Sequence, residues 1–487
     1  MTVANRVQIC GVRESTPGVT PTTPRMRKKR YTGEALTFAP EYLDSDEIRD
    51  DRMMGDPTKT MQAAAGSIND ELSYPDDESL DSEFYRSAFF NTWQNTPQRF
   101  NDGTADSAIT DVAATGGVIT VASGAAFAVG HLVRLTGFGV AGNNGLFRIT
   151  TGSATVPAVG NSLLTDEAAP AASARVKVVG LQGASGDLVA AADGITSTAL
   201  DFTTLGILVG QWIKIGGTGA SFRFATEALN GWARITAIAA GKLTLDNLPT
   251  GWTTDAGTGK TLRIFFGDRI KNGITHTALT LEKGFLGQAV PTYIAHRGME
   301  VGQVVHTIVS RRQVTRTWTF TGLGGSMGTT ALDASPDPQT LGQPIAANAN
   351  VGRLAENGQR LTSPNWARSF EFTINNQLRT VEDVQETSPQ KINEGEFQVT
   401  GRLETYFGDD SLLAKFYAGT PTALNSRVQR NGQAMIFQVP RATYRSDGNP
   451  AVSGKNTDVM LPLGFQASYD TLTAAHLLLD RIEFYQD

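Results

Sequence analysis

The chain of 487 residues contains a single cysteine, Cys10. One thiol excludes both a disulfide framework and a zinc site built on several cysteines. No segment approaches the ~20 consecutive apolar residues that a transmembrane helix requires, and the N-terminal residues lack the apolar centre of a signal peptide. The sequence therefore predicts a protein that is made and folded in a cytoplasm and does not enter a membrane.

The chain also has little excess of one sign of charge, since the formal net charge is only -6 at pH 7. Such mild acidity argues against a broad surface that grips nucleic-acid phosphates. The five histidines show neither HxxxH nor HExxH spacing, so no metal site is predicted. Adjacent acidic residues such as Asp409 and Asp410 point in opposite directions on extended chain and cannot form a catalytic pair.

Two short segments match catalytic motifs but lack the required context. Residues 257–261 (GTGKT) match part of a phosphate-binding loop, yet Thr254 stands where the motif needs glycine, and a strand-like segment follows instead of a helix. Residues 324–328 (GGSMG) match the GxSxG nucleophile elbow, but the residues after them cannot open a helix, so a glycine loop is predicted there. Because no nucleophile, base and stabilising group come together, we predict a protein that is not an enzyme and uses no cofactor.

Strand-like alternation extends over most of the chain. In residues 314–321, Arg316, Trp318 and Phe320 share one face and threonines occupy the other. The same pattern recurs at 396–407, and further strands are predicted at 370–374, 435–439, 459–465 and 477–484. One-sided burial of this kind is typical of antiparallel sheets.

One amphipathic helix is predicted among the first hundred residues. Leu80, Phe84 and Ala88 follow the spacing of a helix face that packs on a core. Asp76 or Asp77 would supply its N-cap.

The central region, residues 105–266, is rich in Ala, Gly, Thr and Val and contains an internal repeat. Residues 127–150 and 208–246 each read as a strand, a turn with Asn-Gly and a further strand. Asn-Gly supplies the positive φ angles that tight turns between strands require. We therefore predict two small all-β modules inserted in tandem.

Two segments are predicted to be exposed and to contact partners. Residues 15–30 join a Thr/Pro-rich stretch to a basic run, which favours an extended arm over packed structure; nucleic-acid binding is the less favoured alternative. Residues 45–67 are charged, contain methionine and are broken by Gly55 and Pro57, which is typical of a long loop. The candidate contact residues are Arg27, Arg30, Tyr31, Ile48, Arg49, Arg52, Met53 and Met54.

Outside the insertion, the chain resembles the tail tube proteins of long-tailed, siphovirus-type bacteriophages. The segments that carry the resemblance are 30–34 (RYTGE), 45–52 (SDEIRDDR), 66–74 (GSINDELSY), 279–283 (LTLEK), 369–379 (SFEFTINNQLR), 395–401 (GEFQVTG), 405–407 (TYF), 439–444 (VPRATY) and 463–467 (LGFQA). Their order and spacing match over roughly residues 25–100 and 268–487, whereas the insertion departs from the short form of the family.

The resemblance implies a mainly β fold, namely a tail-tube β-sandwich or barrel with one flanking α-helix, to which the two small inserted all-β modules are added. Five segments are then expected: an extended N-terminal arm (1–45), the first part of the tail-tube domain with the loop and helix (46–104), module 1 (105–190), module 2 (191–267) and the second part of the tail-tube domain (268–487).

The resemblance also implies a structural subunit that self-assembles into stacked rings, commonly six-fold, and forms the channel for genome ejection. Implied partners are further copies of the chain, the tape-measure protein and double-stranded DNA in the lumen without sequence-specific binding, and the tail terminator and distal tail proteins at the tube ends. The protein would be assembled in the host bacterial cytoplasm and reside in the virion tail. Candidate residues for a polar lumen or sheet face are Thr315, Thr317, Thr319, Glu396, Gln398, Thr400 and Glu404.

The inserted modules are too long for a lumen, so we expect them on the outside, as spacers or weak glycan binders. A different hypothesis is a non-enzymatic surface protein of the adhesin or tail-fibre type, in which the modules bind glycans. That hypothesis predicts small closed oligomers, whereas a tube subunit forms rings or filaments. A tail terminator or a secretion-tube relative is a third possibility.

Overall fold

The computed structural model describes residues 3–77, 79–102, 107–452 and 454–487. Strands dominate it, and the ladders discussed below are antiparallel. This confirms the prediction of a mainly β protein with antiparallel sheets. Within the described residues the sheets remain open and do not close into a barrel.

The elements follow one another in chain order. The first strands are β1 (Val7–Arg13), β2 (Arg27–Lys29), β3 (Gly33–Glu34), β4 (Thr37–Leu43) and β5 (Thr58–Glu71). The central strands are β6 (Gln98–Phe100), β7 (Ile109–Ala113), β8 (Val118–Val121), β9 (His131–Thr136), β10 (Gly145–Arg148), β11 (Glu167–Ala168), β12 (Arg175–Gln182), β13 (Val189–Ala191), β14 (Gly194–Thr196), β15 (Trp212–Ile215), β16 (Trp232–Ala239), β17 (Lys242–Asp246) and β18 (Arg263–Phe265).

The remaining strands belong to the C-terminal part of the chain. They are β19 (Asp268–Lys271), β20 (Leu279–Phe285), β21 (Thr292–Val309), β22 (Thr315–Thr321), β23 (Gly324–Gly328), β24 (Val351–Glu356), β25 (Gln359–Arg360), β26 (Ala367–Asn375), β27 (Arg379–Val381), β28 (Lys391–Asn393), β29 (Gln398–Tyr406), β30 (Thr422–Arg430), β31 (Gln433–Ser446), β32 (Met460–Ala467) and β33 (Leu478–Ile482). The α-helices are α1 (Leu80–Phe89), α2 (Ala347–Asn350) and α3 (Ser411–Ala418). Short 3-10 helices lie at Ala4–Arg6, Thr115–Gly117, Ala141–Asn143, Phe202–Thr204 and Glu227–Leu229.

The chain divides into two compact units. The first contains the residues up to Thr92 together with Lys271–Leu424 and Val439–Tyr469, and the second contains Trp93–Ile270, Asn425–Gln438 and Asp470–Asp487. The second unit thus includes the predicted insertion. The finer division into five segments stays a prediction.

The first unit is built on a large sheet, here called the main sheet, in which β5, β22, β21, β26, β29, β32 and β31 pair in that order. On β22, Arg316, Trp318 and Phe320 are buried, while Thr315 and Thr319 are exposed. The predicted alternation is therefore confirmed. One face of the main sheet covers the core, and the other is polar.

Helix α1 packs against the buried face of the main sheet. Phe84 and Ala88 are fully buried, and the Phe84 ring lies edge-on to that of Trp318 at a centroid distance of 5.4 Å. The predicted cap was wrong, because the hydroxyl of Ser79 accepts the Ser82 N–H at 3.2 Å and so satisfies a free donor of the first turn. The helix consequently starts later than a cap at 76 or 77 would require.

A buried ion cluster lies between α1 and the main sheet. The guanidinium of Arg316 donates to Asp70 at 2.8 and 2.9 Å and to Asp81 at 2.8 Å, and Lys29 forms ion pairs with the same two carboxylates. Burial alone would raise the pKa of Asp81, but the positive charges of Arg316 and Lys29 hold it below its ordinary value. Lys29 of the basic run, on β2, therefore lies in the core.

The second unit has its own sheet and core. Its sheet runs β10, β9, β12, β18, β15, β16, β17, β14 and β13, with β6 beside β12. Fully buried side chains of residues 105–190, such as Val133 and Val178, share one apolar cluster with Ile213, Ile235 and Leu243 from residues 191–267. Strands from both predicted modules thus contribute to one sheet and one core.

The internal repeat is confirmed by equivalent hydrogen bonds. In the first copy, the Phe138 N–H donates to Asn144 Oδ1 at 3.0 Å and Asn144 Nδ2 donates back to the Phe138 carbonyl at 2.9 Å. In the second, Phe224 and Asn230 make the same two bonds at 2.9 and 3.0 Å. The role predicted for Asn-Gly was wrong, since φ is -92° at Asn144 and -87° at Asn230. Each side chain instead clamps the loop that precedes its strand.

Candidate assembly surfaces

The polar face of the main sheet collects residues from strands that are far apart in sequence. Thr317 of β22 pairs with Asn69 on one side and with Val305 on the other. Across the next strands, Val305 pairs with Thr373, and Thr373 pairs with Thr400. Directly paired residues of an antiparallel sheet point to the same side. The row continues through Gln466 to Thr443.

Two neighbouring rows extend this face. The row of Thr315 consists of Glu71, Thr315, Thr307, Glu371 and Arg402. The row of Thr319 consists of Ser67, Thr319, Gln303, Asn375 and Gln398. Six of the seven predicted polar-face residues thus share one surface, because Glu404 pairs with Ser369 on the same side. Glu396 is exposed but precedes β29 and joins none of these rows.

Hydrogen bonds within the polar face connect neighbouring strands. Thr307 Oγ1 donates to Glu371 at 3.0 Å, and Ser369 Oγ donates to Glu404 at 3.3 Å. Apart from Val305 and Arg402, the rows contain hydroxyls, amides and carboxylates. Such a surface is well hydrated and offers few cationic groups to nucleic-acid phosphates. The residues on β5, β21 and β26 were missed from the sequence because only strand register places them beside β22.

The predicted loop at 45–67 is shorter than expected. Strand β5 already begins at Thr58 and pairs with β4 from Leu43 opposite Thr58 to Thr37 opposite Ala65. The prediction was wrong for residues 58–67, because strand formation there depends on a partner strand more than on local propensity. The loop proper, residues 44–57, is the tip of a long hairpin.

The tip exposes apolar side chains. Ile48 is fully exposed, and Met53 and Met54 expose 68% and 79% of their surfaces. Arg49 is also exposed and donates to Asp51 at 2.9 Å within the loop. Exposed Arg52 adopts a left-handed conformation with φ of 60°. Exposed apolar groups of this size are typical of a contact surface.

The three N-terminal candidates are half-buried and held within the first unit. Arg27 lies on β2, which pairs with β1. Arg30 donates to the Gly342 carbonyl at 2.6 Å, and the Tyr31 hydroxyl donates to the Val7 carbonyl at 2.8 Å.

A cleft of about 240 Å³ lies between β21, β24, β25 and β26. Its lining includes Arg353, Arg360, Arg368 and Trp366, and no carboxylate is among the described residues that line it. Trp366 exposes 55% of its surface, and Arg360 and Arg368 are exposed. No sequence pattern pointed to this cleft, because β21, the β24–β25 hairpin and the start of β26 meet only in the fold.

The two near matches to catalytic motifs lie in a loop and in a strand. Lys260 donates to the Ala220 carbonyl at 2.8 Å, and strand β18 follows it. The glycine loop predicted at 324–328 is wrong, because these residues form β23 and pair with β21.

Three histidines of the C-terminal part, at positions 276, 296 and 306, have separate environments. His276 lies between Glu300 and Glu394, His296 faces the Leu281 carbonyl, and the His306 ring stacks on Phe372. Among the residues that the structure describes, no group of three or more His, Cys, Asp or Glu side chains is arranged to hold a metal ion.

No helix in the described ranges has both the length and the apolar character needed to span a membrane. The sequence profile of a family described as phage tail tube protein matches residues 4–467, which include both compact units almost entirely. No curated protein matches the chain significantly.

Proposed function

Because the chain belongs to the phage tail tube protein family, we propose that it assembles into stacked hexameric rings whose central channel conducts the genome during ejection. The family assigns it a structural role in the virion tail. The ring, its six-fold symmetry and its role in ejection are our proposal.

The observation that carries this proposal is the continuous polar face of the main sheet. Its rows join threonine, asparagine, glutamine and carboxylate groups across at least five strands, while the opposite face is buried against α1. We assign this face to the lumen, with Thr317 and Thr400 near its middle. Because it offers few cations to phosphates, DNA and the tape-measure protein slide along it without sequence-specific binding.

The contacts between subunits are assigned to the hairpin tip and to the N-terminal strands. Ile48, Met53 and Met54 expose apolar surface that a neighbouring subunit would bury. Arg27, Arg30 and Tyr31 would border the same interfaces. The tail terminator and the distal tail proteins would bind the two ends of the tube, and assembly would take place in the host bacterial cytoplasm.

We place the inserted modules on the outside of the tube. They have a sheet and an apolar core of their own, so they can be carried as decoration without contributing to the wall.

Negative-stain electron microscopy of the purified full-length chain over a range of concentrations tests the proposal. We expect hollow rings or tubes with external projections, and six-fold symmetry in class averages of end-on views. Discrete particles without a central channel, even after addition of tail assembly partners, would contradict it and favour the glycan-binding hypothesis.

A further inference from the structure

The hairpin tip, residues 44–57, is strongly acidic. It carries six carboxylates, and Arg49 and Arg52 are its only cations. Its apolar side chains at positions 48, 53 and 54 are mostly or fully exposed. The tip therefore presents negative charge and apolar surface together, in a segment that can enter a groove.

The cleft beside β26 has the opposite character, and we call it the arginine cleft. Exposed Arg360 and Arg368 flank half-exposed Trp366. The third arginine, Arg353, donates to the Gly358 carbonyl at 2.7 Å, which fixes its guanidinium at the edge of the cleft. Arginine binds carboxylates through paired N–H groups, and the face of an indole accepts cations and methionine sulfur.

Strand register places the tip and the cleft at opposite ends of the main sheet. The row of Glu71, Thr315, Thr307 and Glu371 lies at one end, and Ile308 and Phe370 of the cleft form the next row outward. The tip is attached at the other end of β5, thirteen residues before Glu71. At ~3.3 Å per residue this separates them by roughly 40 Å.

We propose that the acidic tip of one copy inserts into the arginine cleft of the next copy, head to tail. The inference rests on the proposed tube assembly and names the partner surface of the tip. Two different surfaces at opposite ends of one unit make a heterologous contact, which produces rings or open-ended stacks rather than closed dimers. Arginine and tryptophan are also enriched among residues that dominate binding energy.

Disulfide cross-linking tests the contact directly. The only native thiol, Cys10, is 2% exposed, so a Met54→Cys/Trp366→Cys variant carries two new accessible thiols. Under mild oxidation of the assembled protein we expect a ladder of covalent multimers. The single-cysteine variants give dimers at most, and a Met54→Cys/Val156→Cys variant, with its second thiol on the inserted module, gives no ladder.

Charge reversal supplies a second test that does not rely on Trp366. Arg360→Glu/Arg368→Glu and Asp46→Arg/Asp50→Arg should each lower the assembled fraction on the order of tenfold, and the four changes together should restore it. All four side chains are exposed, so the melting temperature of each variant should stay that of the wild type.

The failures of the two proposals are distinguishable. If the wild type forms rings while the cross-linked ladder is missing and the arginine reversals assemble normally, the tip binds elsewhere and this inference is overturned alone. If the wild type forms no rings or tubes, the proposed function itself is overturned, and this inference with it.

Discussion

His131 and Gln211 occupy equivalent positions in the two repeats and accept the same backbone hydrogen bond, from the residue three positions earlier. His131 Nδ1 accepts the Ala128 N–H at 2.9 Å, and Gln211 Oε1 accepts the Leu208 N–H at 3.0 Å. His131 Nε2 lies 3.2 Å from the Leu205 carbonyl, and Gln211 Nε2 donates to the Gly267 carbonyl at 2.7 Å. Because only histidine titrates near neutral pH, one repeat contains a source of acid sensitivity that the other lacks.

We expect His131→Gln to remove part of the acid sensitivity of the fold. Burial lowers the pKa of His131 from 6.5 to about 4. As the pH falls below 6.5, His131 therefore binds a proton in the unfolded chain but not in the folded one. The free energy of unfolding decreases between pH 6.5 and about pH 4, below which both forms are protonated. Urea unfolding across this range should show a shallower pH dependence for the variant. Gln211→His is the matched control and should steepen it; equal slopes in all three proteins would contradict this explanation.

The asparagine loop clamps of the two repeats should contribute similarly to the free energy of unfolding. Asn144→Ala leaves the buried Phe138 N–H without its acceptor, and Asn230→Ala does the same to Phe224. We expect each change to lower the free energy of unfolding by about 1–3 kcal/mol. Asn144→Asp retains the acceptor but places a carboxylate oxygen against the Phe138 and Val140 carbonyls, so it should cost at least as much. The measurement is chemical denaturation followed by tryptophan fluorescence, and a cost confined to one repeat would show that the clamps are not equivalent.

The buried ion cluster should tolerate the loss of its arginine poorly. Arg316→Met leaves Asp70 and Asp81 with Lys29 as their remaining cation, and we expect a loss of about 3–5 kcal/mol in the free energy of unfolding. Arg402→Met, on the exposed polar face, should change it by less than about 0.5 kcal/mol. If both variants unfold at the same denaturant concentration, the cluster does not stabilise the fold.

His276 should stabilise the first unit more at low pH than at high pH. Its Nδ1 lies 3.0 Å from the Glu300 carboxylate and its Nε2 lies 2.8 Å from that of Glu394. Partial burial lowers the pKa of His276, but the two carboxylates outweigh this and raise it above 6.5. The contribution of His276 protonation is thus full only below pH 6.5 and is lost as the pH rises through the folded-state value.

Two-dimensional NMR of the imidazole signals measures this pKa, and unfolding experiments on His276→Gln measure its effect on stability. The difference between wild type and variant should shrink as the pH rises above 6.5. Glu394→Gln should move the pKa of His276 downward, since Glu394 is one of its two partners. A pKa below 6.5 in the wild type would refute the assignment.

Cations on the polar face should turn a passive surface into one that binds DNA. Thr317→Lys/Thr400→Lys adds two positive charges on one row of the main sheet. Assembled tubes of this variant should retain short DNA fragments in sedimentation assays, and the retention should fall as salt rises. Thr151→Lys/Thr155→Lys on the inserted module adds the same charge as a control. Equal retention by both variants would argue against a lumenal position of the polar face.

Much of the local structure could be predicted from the sequence alone. Alternation over residues 314–321 and the spacing of Leu80, Phe84 and Ala88 are properties of neighbouring positions, so they indicated β22 and α1 directly. The internal repeat and the resemblance to tail tube proteins likewise depend on the order of residues along the chain, and both are confirmed.

Only the tertiary structure decided which strands are neighbours. The polar face depends on register between β5, β22, β21, β26 and β29, and no local pattern specifies that Asn69, Val305 and Thr400 lie in the row of Thr317. The same holds for Lys29, whose basic neighbours predicted an exposed arm although its ammonium group pairs with buried carboxylates. Local sequence determines periodicity and propensity, whereas register and ion pairing depend on contacts between residues hundreds of positions apart, which form only when the core is buried.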